Sequence, residues 1–236
     1  MSSKTSPTMT PNSMANRIAF PTTLPPVVPI GITGGIASGK SYVCSQLEAA
    51  GHPVFYCDAE AKRIIRTDPA VRRELTSLVG PEVYAADGQL VKSVLAAWLC
   101  RSRSHAAQVD AIVHPRVADA FAARAAAIAS GAAPWTESEV QAAAFLFQPS
   151  QRETDIAALA ALPPGRVLFM ECALLFEASF DRFVHRSVLV HVSHETQLRR
   201  LMARDQISQA QAQAWMDLQL SEEEKMARAD LLLRND

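Results

Sequence analysis

An α/β fold, built on a five-stranded parallel sheet flanked by helices, is the architecture this sequence predicts. Three observations carry the prediction. Short apolar runs recur at 27–32, 54–57, 166–171, 187–192 and 230–233, and such continuous runs fit strands buried on both faces. Segments of helical periodicity lie between them, the alternation expected of a parallel sheet covered by helices. The first run leads directly into Gly34-Gly35-Ile36-Ala37-Ser38-Gly39-Lys40-Ser41, which fits G-x-x-x-x-G-K-[ST], a phosphate-binding loop between a strand and a helix.

Each element has its own signal. Residues 1–26 are rich in Ser, Thr and Pro, hold Lys4 and Arg17, and precede the first acidic residue, Glu48. That composition predicts a disordered tail, with an organelle transit peptide as the alternative. The first helix runs from Gly39 to about Ala50, with Val43 and Leu47 on one face and Gly51 as its stop. His52-Pro53 opens the second strand, and Asp58 is expected at its carboxyl end as the N-cap of a helix over 59–66. Asp68-Pro69 starts a further helix that carries Val71, Leu75, Leu78 and Val79 to Gly80-Pro81. Asp87-Gly88 is a turn, and helical patterns follow at 90–100 and 108–128. A loop at 131–136 and a polar, alanine-rich stretch then run to Pro163-Pro164-Gly165. Ser193 opens a helix carrying Leu198, Leu201 and Met202, with Glu195 in its first turn. In such sheets ligands bind at the carboxyl ends of strands, where the loop, Asp58 and Glu171 all fall.

Bulk properties narrow the function classes. At 236 residues and 49% hydrophobic content the chain is long enough for one well-cored domain. A net charge of −1 gives no global attraction to nucleic acid, and none is expected as a partner. Cys44, Cys57, Cys100 and Cys172 are scattered without metal-ligand spacing. They read as reduced thiols of an intracellular, cytoplasmic protein. No apolar run reaches the ~18 residues of a membrane span, and the nearest, 118–133, is interrupted by Asp119 and Arg124. A monomer or weak oligomer is expected.

The loop has a direct chemical reading. Nucleotide phosphates are anionic and hydrated, so a site must replace their water with fixed donors. A glycine-rich turn aims backbone N–H groups into a concavity, and the following helix adds unpaired N–H groups and its positive dipole end. Gly34 and Gly39 suit backbone angles that a Cβ obstructs. Gly34 to Tyr42 would line the nucleotide. Lys40 would reach the β- and γ-phosphates, and the Ser41 hydroxyl would be a ligand of magnesium. ATP and Mg2+ are therefore the expected cofactors. Asp58 is a candidate general base, with plain N-capping the alternative. Arg200 and Arg204, at i,i+4 spacing, share a helix face and are placed to neutralise phosphoryl charge, or else form an ordinary solvated basic face.

Several blocks, in order, resemble the dephospho-coenzyme A kinase family. Thr33-Gly34-Gly35-Ile36-Ala37-Ser38-Gly39-Lys40-Ser41 is similar to T-G-G-I-x-S-G-K-S, and Tyr56-Cys57-Asp58 to a D-A-D segment. Ala86-Asp87-Gly88, His114-Pro115 and Leu174-Leu175-Phe176-Glu177 resemble A-D-G, H-P and L-L-F-E. The run from Glu195 to Asp205 resembles E-x-Q-x-x-R-L-x-x-R-D, and Gln219, Lys225, Ala229-Asp230 and Asn235 resemble the family's tail. The resemblance implies a P-loop kinase fold with a helical acceptor-binding insertion at about 61–113 and a helical lid at about 199–216. It implies transfer of the γ-phosphoryl of ATP to the ribose 3′-hydroxyl of dephospho-CoA. It also implies that Asp58, His114, Leu174, Leu175, Phe176 and Glu177 meet the acceptor, and that Glu171 holds magnesium through water. For the three apolar residues, core packing is the equal alternative.

The chain departs from this pattern at Tyr56 (for Asp), Ala37 (for Gly), Tyr42 (for Thr), Ala173 (for Pro) and Trp215 (for Arg). The stretch at 134–165 diverges, and the chain ends where relatives continue into another helix, so one covering element of the sheet is expected to be absent. Another P-loop small-molecule kinase, or a weakened nucleotide-binding protein, are the competing functions.

Overall fold

The computed structural model of the chain describes residues 24–148 and 152–236. The expected tail lies outside the described residues as far as residue 23. At its end Leu24 packs on the core, and the Trp135 indole Nε1–H donates to the Pro25 carbonyl at 2.8 Å.

The sheet has six strands, one more than expected: β1 (Val28–Thr33), β2 (Val54–Tyr56), β3 (Glu153–Thr154), β4 (Val167–Glu171), β5 (Arg186–His191) and β6 (Leu231–Arg234). Their order across the sheet is β2-β4-β1-β5-β6-β3, and every pairing is parallel. The extra strand is two residues long and lies in the divergent stretch. The helices are α1 (Lys40–Ala49), α2 (Cys57–Thr67), α3 (Pro69–Val79), α4 (Lys92–Leu99), α5 (Arg103–Ala129), α6 (Glu137–Ala143), α7 (Ile156–Ala160), α8 (His194–Asp205), α9 (Gln209–Met216) and α10 (Glu222–Arg228). Among the described residues no helix is long and apolar enough to cross a membrane.

Both faces of the sheet are covered, which is why the strands read as apolar runs rather than alternating ones. On one face Leu168, Met170 and Leu189 pack with Ile64, Leu75, Val113 and Phe121 from α2, α3 and α5. On the other, Ile30, Ile32, Phe169 and Val190 pack with Val43 and Leu47 of α1 and with Leu146 and Leu159. A fully buried leucine of this kind contributes about 1.5–3 kcal/mol. The expected gap in the cover is not found at β6: Leu231 and Leu233 join the second cluster, and Leu232 packs against the first.

Local signals explain most element starts. Asp68 accepts from the Ala70 and Val71 amides at 2.8 and 3.0 Å, with Pro69 as the first residue of α3. The α2 start differs from expectation. The helix begins at Cys57, its N-cap is Tyr56, and no side chain caps it. Asp58 is thus a first-turn residue, favoured there by the dipole but not bonded to the helix end. The long α5 runs through Pro115 without ending, so His114-Pro115 is a mid-helix pair and not a helix boundary. Cys57 and Cys172 each follow the paired Tyr56 and Glu171 of neighbouring strands. The Cys172 thiol, then burial, pushes the Cys57 thiol well up.

In the divergent stretch, Thr136 and Glu139 form a reciprocal capping box on α6. Glu139 also pairs with the buried Arg166 at 3.0 Å. The Arg166 guanidinium, then the Thr136 amide, hold the Glu139 carboxyl down to about 2 from 4.5. A depressed carboxyl stabilises the fold fully above its unfolded value and loses that contribution as pH falls through the folded one. Between pH 4.5 and about 2 the wild-type chain is therefore expected to lose melting temperature faster than Glu139→Gln. Parallel acid limbs in a pH series of thermal melts would contradict this.

Candidate active site

The loop between β1 and α1 is a closed turn of backbone. The Ser38 amide donates to Gly35 O at 3.1 Å, and the first intrahelical donors of α1, Tyr42 and Val43, both reach Gly39 O. The Lys40 and Ser41 amides precede those bonds and have no helical acceptor. Gly39 has φ +94, and a Cβ there would stand 2.1 Å from Asn235 Nδ2. A Cβ at Gly34 would stand 2.5 Å from Val190 O. The Lys40 ammonium lies inside the turn, donating to Gly34 O at 2.9 Å and Gly35 O at 3.1 Å. Burial pushes Lys40 down and the nearby Glu171 carboxylate counters it. Ser38 Oγ is buried without a hydrogen-bond partner among the described residues.

Ala37 occupies the left-handed region at φ +62, which disfavours a residue with a Cβ by about 1–2 kcal/mol. The family pattern has glycine there. Ala37→Gly is expected to stabilise the chain by about 1 kcal/mol, after the greater entropy of unfolded glycine is deducted. A denaturant midpoint at or below wild type would refute it.

Three side chains far along the sequence clamp this loop, and sequence reasoning gave them no role. Gln197 of α8 donates to Ile36 O at 2.7 Å, and Gln219, after α9, accepts from the Ile36 amide at 2.8 Å. Asn235, just past β6, donates to Ser38 O at 2.9 Å. Arg200 in turn holds Asn235 by its carbonyl at 2.9 Å. Their only signal in the sequence was their place in the blocks quoted above.

The parallel sheet delivers its carboxylates to the same edge. Glu171 ends β4 in register with Tyr56 of β2. Its carboxylate makes no hydrogen bond among the described residues, and burial pushes it up, opposed by Lys40 and reinforced by Asp58. Asp58 is exposed, at 76% of its side chain, and is ion-paired with Lys62 at i,i+4. The Tyr56 hydroxyl, standing where the family has an aspartate, donates to Glu48 at 2.9 Å. Ser41, Asp58 and Glu171 offer only oxygen, which suits a hard divalent cation. Among the described residues no group of three or more His, Cys, Asp or Glu is placed to hold a metal unaided.

The other expected residues divide. His114 stands edge-on to Phe180 at 5.4 Å and lies 3.5 Å from Asp110, beside the segment that follows β4. Of that segment, Leu175 and Phe176 are core residues: a Cβ on Gly31 would stand 2.9 Å from Leu175 Cδ2, and Arg228 lies over the Phe176 ring at 4.7 Å. Leu174 is 43% exposed and open to a ligand. Glu177 accepts from the Leu220 amide at 3.1 Å, tying this segment to the residues between α9 and α10. Tyr42 is 56% exposed on α1. Arg204 forks onto its neighbour Asp205 at 2.7 and 2.9 Å. Trp215 is an exposed residue of α9.

The family described as dephospho-CoA kinase matches residues 28–135 and 135–236. A Bacteroides fragilis (strain YCH46) dephospho-CoA kinase is 37% identical over 209 residues, covering 89% of this chain and 85% of its own. One from Salinibacter ruber is 34% identical over 207 residues, 88% of each chain. Among solved structures, TT1252 from Thermus thermophilus superposes with a TM-score of 0.65 at 29% identity, over 89% of both chains. A dephospho-CoA kinase from Campylobacter jejuni shares the fold, with a TM-score of 0.51 at 16% identity and 89% coverage of both.

Proposed function

The chain belongs to the dephospho-CoA kinase family, and from that premise we propose how its residues move the γ-phosphoryl of ATP to the ribose 3′-hydroxyl of dephospho-CoA, giving CoA. The observation that carries the reading is the buried Lys40 ammonium held inside the loop, beside the unpaired Lys40 and Ser41 amides and on the same sheet edge as Asp58 and Glu171. Phosphoryl transfer needs positioning and charge stabilisation more than covalent help. The amides at Lys40 and Ser41 and the start of α1 bind the phosphates, and Lys40 exchanges its carbonyl partners for phosphate oxygens. Asp58 orients the acceptor hydroxyl and takes its proton, leaving Lys62 as it does so. Arg200 acts from the α8 side, and Arg204 joins it when the lid over 199–216 closes.

Ser41 and Glu171 would hold Mg2+, which when bound supplies charge neutralisation across the phosphates. His114, Leu174 and Glu177 border the acceptor, on the insertion side formed by α2 to α5, while Leu175 and Phe176 support Leu174 from the core. The reading takes the protein as cytoplasmic and acting without nucleic acid or membrane, as a monomer or weak oligomer. Purified chain incubated with ATP, Mg2+ and a panel of acceptors tests the activity. ADP release that depends on dephospho-CoA, with CoA as product, is expected. Release with a different acceptor, or none, would overturn it.

A further inference from the structure

Lys225 is the fourth residue of α10, and only 2% of it is exposed. Among the described residues its ammonium makes no hydrogen bond and no ion pair, although Glu222 and Glu177 are near enough to influence it. The side chain lines a cleft of about 670 Å³ shared with Gln197 and Gln219, the two residues that grip Ile36 of the loop. Glu222 faces the same cleft but is already bonded to His191 at 2.7 Å, and Glu224 is engaged in the capping box that starts α10. Lys225 also lies close enough to Lys40 for the two charges to repel.

An ammonium withdrawn from water without a partner is strongly unfavourable, and a second ammonium beside it makes matters worse. Lys40, bonded to two loop carbonyls, and Lys225, bonded to none, repel one another and are reconciled by an anion of more than one charge between them. We propose that Lys225 is a second phosphate-contacting cation, meeting the terminal phosphoryl groups of the nucleotide from α10 while Lys40 meets them from the loop. The inference rests on the kinase reading and adds to it a cation that the loop motif does not contain. Lys225 then bridges the lid side of the site to the transferring group, and its charge is satisfied only in the nucleotide-bound enzyme.

The test uses the full chain with Lys225→Met and Lys225→Arg, measuring thermal melts, calorimetric binding of Mg-ATP, AMP and dephospho-CoA, and steady-state turnover. Without ligand, Lys225→Met is expected to melt at or above wild type, because it removes an unpaired buried charge. Its affinity for Mg-ATP should fall about tenfold, and kcat about 100-fold. Affinity for AMP and dephospho-CoA should change less than about twofold, and Lys225→Arg should recover part of the loss. A Lys225→Met chain that melts well below wild type, or fails to fold, gives the ammonium a structural role and overturns the proposal. So does wild-type turnover, or a loss confined to dephospho-CoA, which would assign the charge to the acceptor's diphosphate. Wild-type protein that binds no ATP removes the kinase reading itself, an outcome distinct from any of these.

Discussion

Replacing Lys40 by alanine is expected to lower kcat by about 1,000-fold or more, because the charge on the transferring phosphoryl loses its one cation within the loop. The side chain is buried and donates to Gly34 O and Gly35 O, so the substitution also leaves two carbonyls short of a donor at about 1–3 kcal/mol each. Part of the effect in Lys40→Ala could thus come from a rearranged turn. Lys40→Met leaves the same two carbonyls without a donor but keeps most of the volume, so it shows the loss of the ammonium without the cavity that alanine adds. Both variants should remain folded in thermal melts, and both should lose ADP release in the presence of dephospho-CoA. If Lys40→Met turned over within about tenfold of wild type, the turn would not be a phosphate cradle, whatever its backbone resembles.

Asp58→Asn is expected to cut kcat about 100- to 10,000-fold, the range for a general base, while changing the dissociation constant for Mg-ATP less than about threefold. The substitution is isosteric, and the Lys62 pair it breaks is exposed, so stability should shift by no more than about 1 kcal/mol. This separation of turnover from binding matters because Asp58 also occupies the first turn of α2, where any acidic residue is favoured. A structural aspartate would change melting temperature and leave turnover alone. A catalytic one does the reverse. Unchanged kcat in a folded Asp58→Asn chain would return Asp58 to the helix and leave the acceptor hydroxyl without a base.

The parallel sheet was legible because its longer strands are buried on both faces and interrupted by glycine, proline and acidic stops, as at Gly34, Asp58 and Pro163-Pro164-Gly165. The loop was legible because its motif is local. What escaped was non-local or too short to carry a pattern. Two residues at Glu153–Thr154 have no periodicity to find, and they are a strand only because β6 lies beside them. Gln197, Gln219 and Asn235 converge on one turn from three separate elements, and nothing in their immediate neighbours says so. Asp58 was misplaced by a helix that starts earlier than its capping chemistry suggests: Tyr56 offers no capping acceptor, and packing of Cys57 into the core sets the start. The start of α6 was readable from Thr136-x-x-Glu139, a capping-box pattern obscured by the alanines that follow.

The short outer strand β3 has a bearing on how the molecule behaves when crowded with its own kind. Without it, β6 would present an unpaired row of amides and carbonyls, the surface on which foreign strands align and from which fibrils grow. Glu153 and Thr154 occupy that row, and the Arg152 guanidinium fastens them by reaching the Met226 and Ala229 carbonyls at 3.1 and 3.2 Å. Beyond them lies a ladder only two residues long, with Glu153 ion-paired to Arg234 at its rim. The chain's open flank is thereby shortened and charged, an arrangement that discourages self-templating at high concentration.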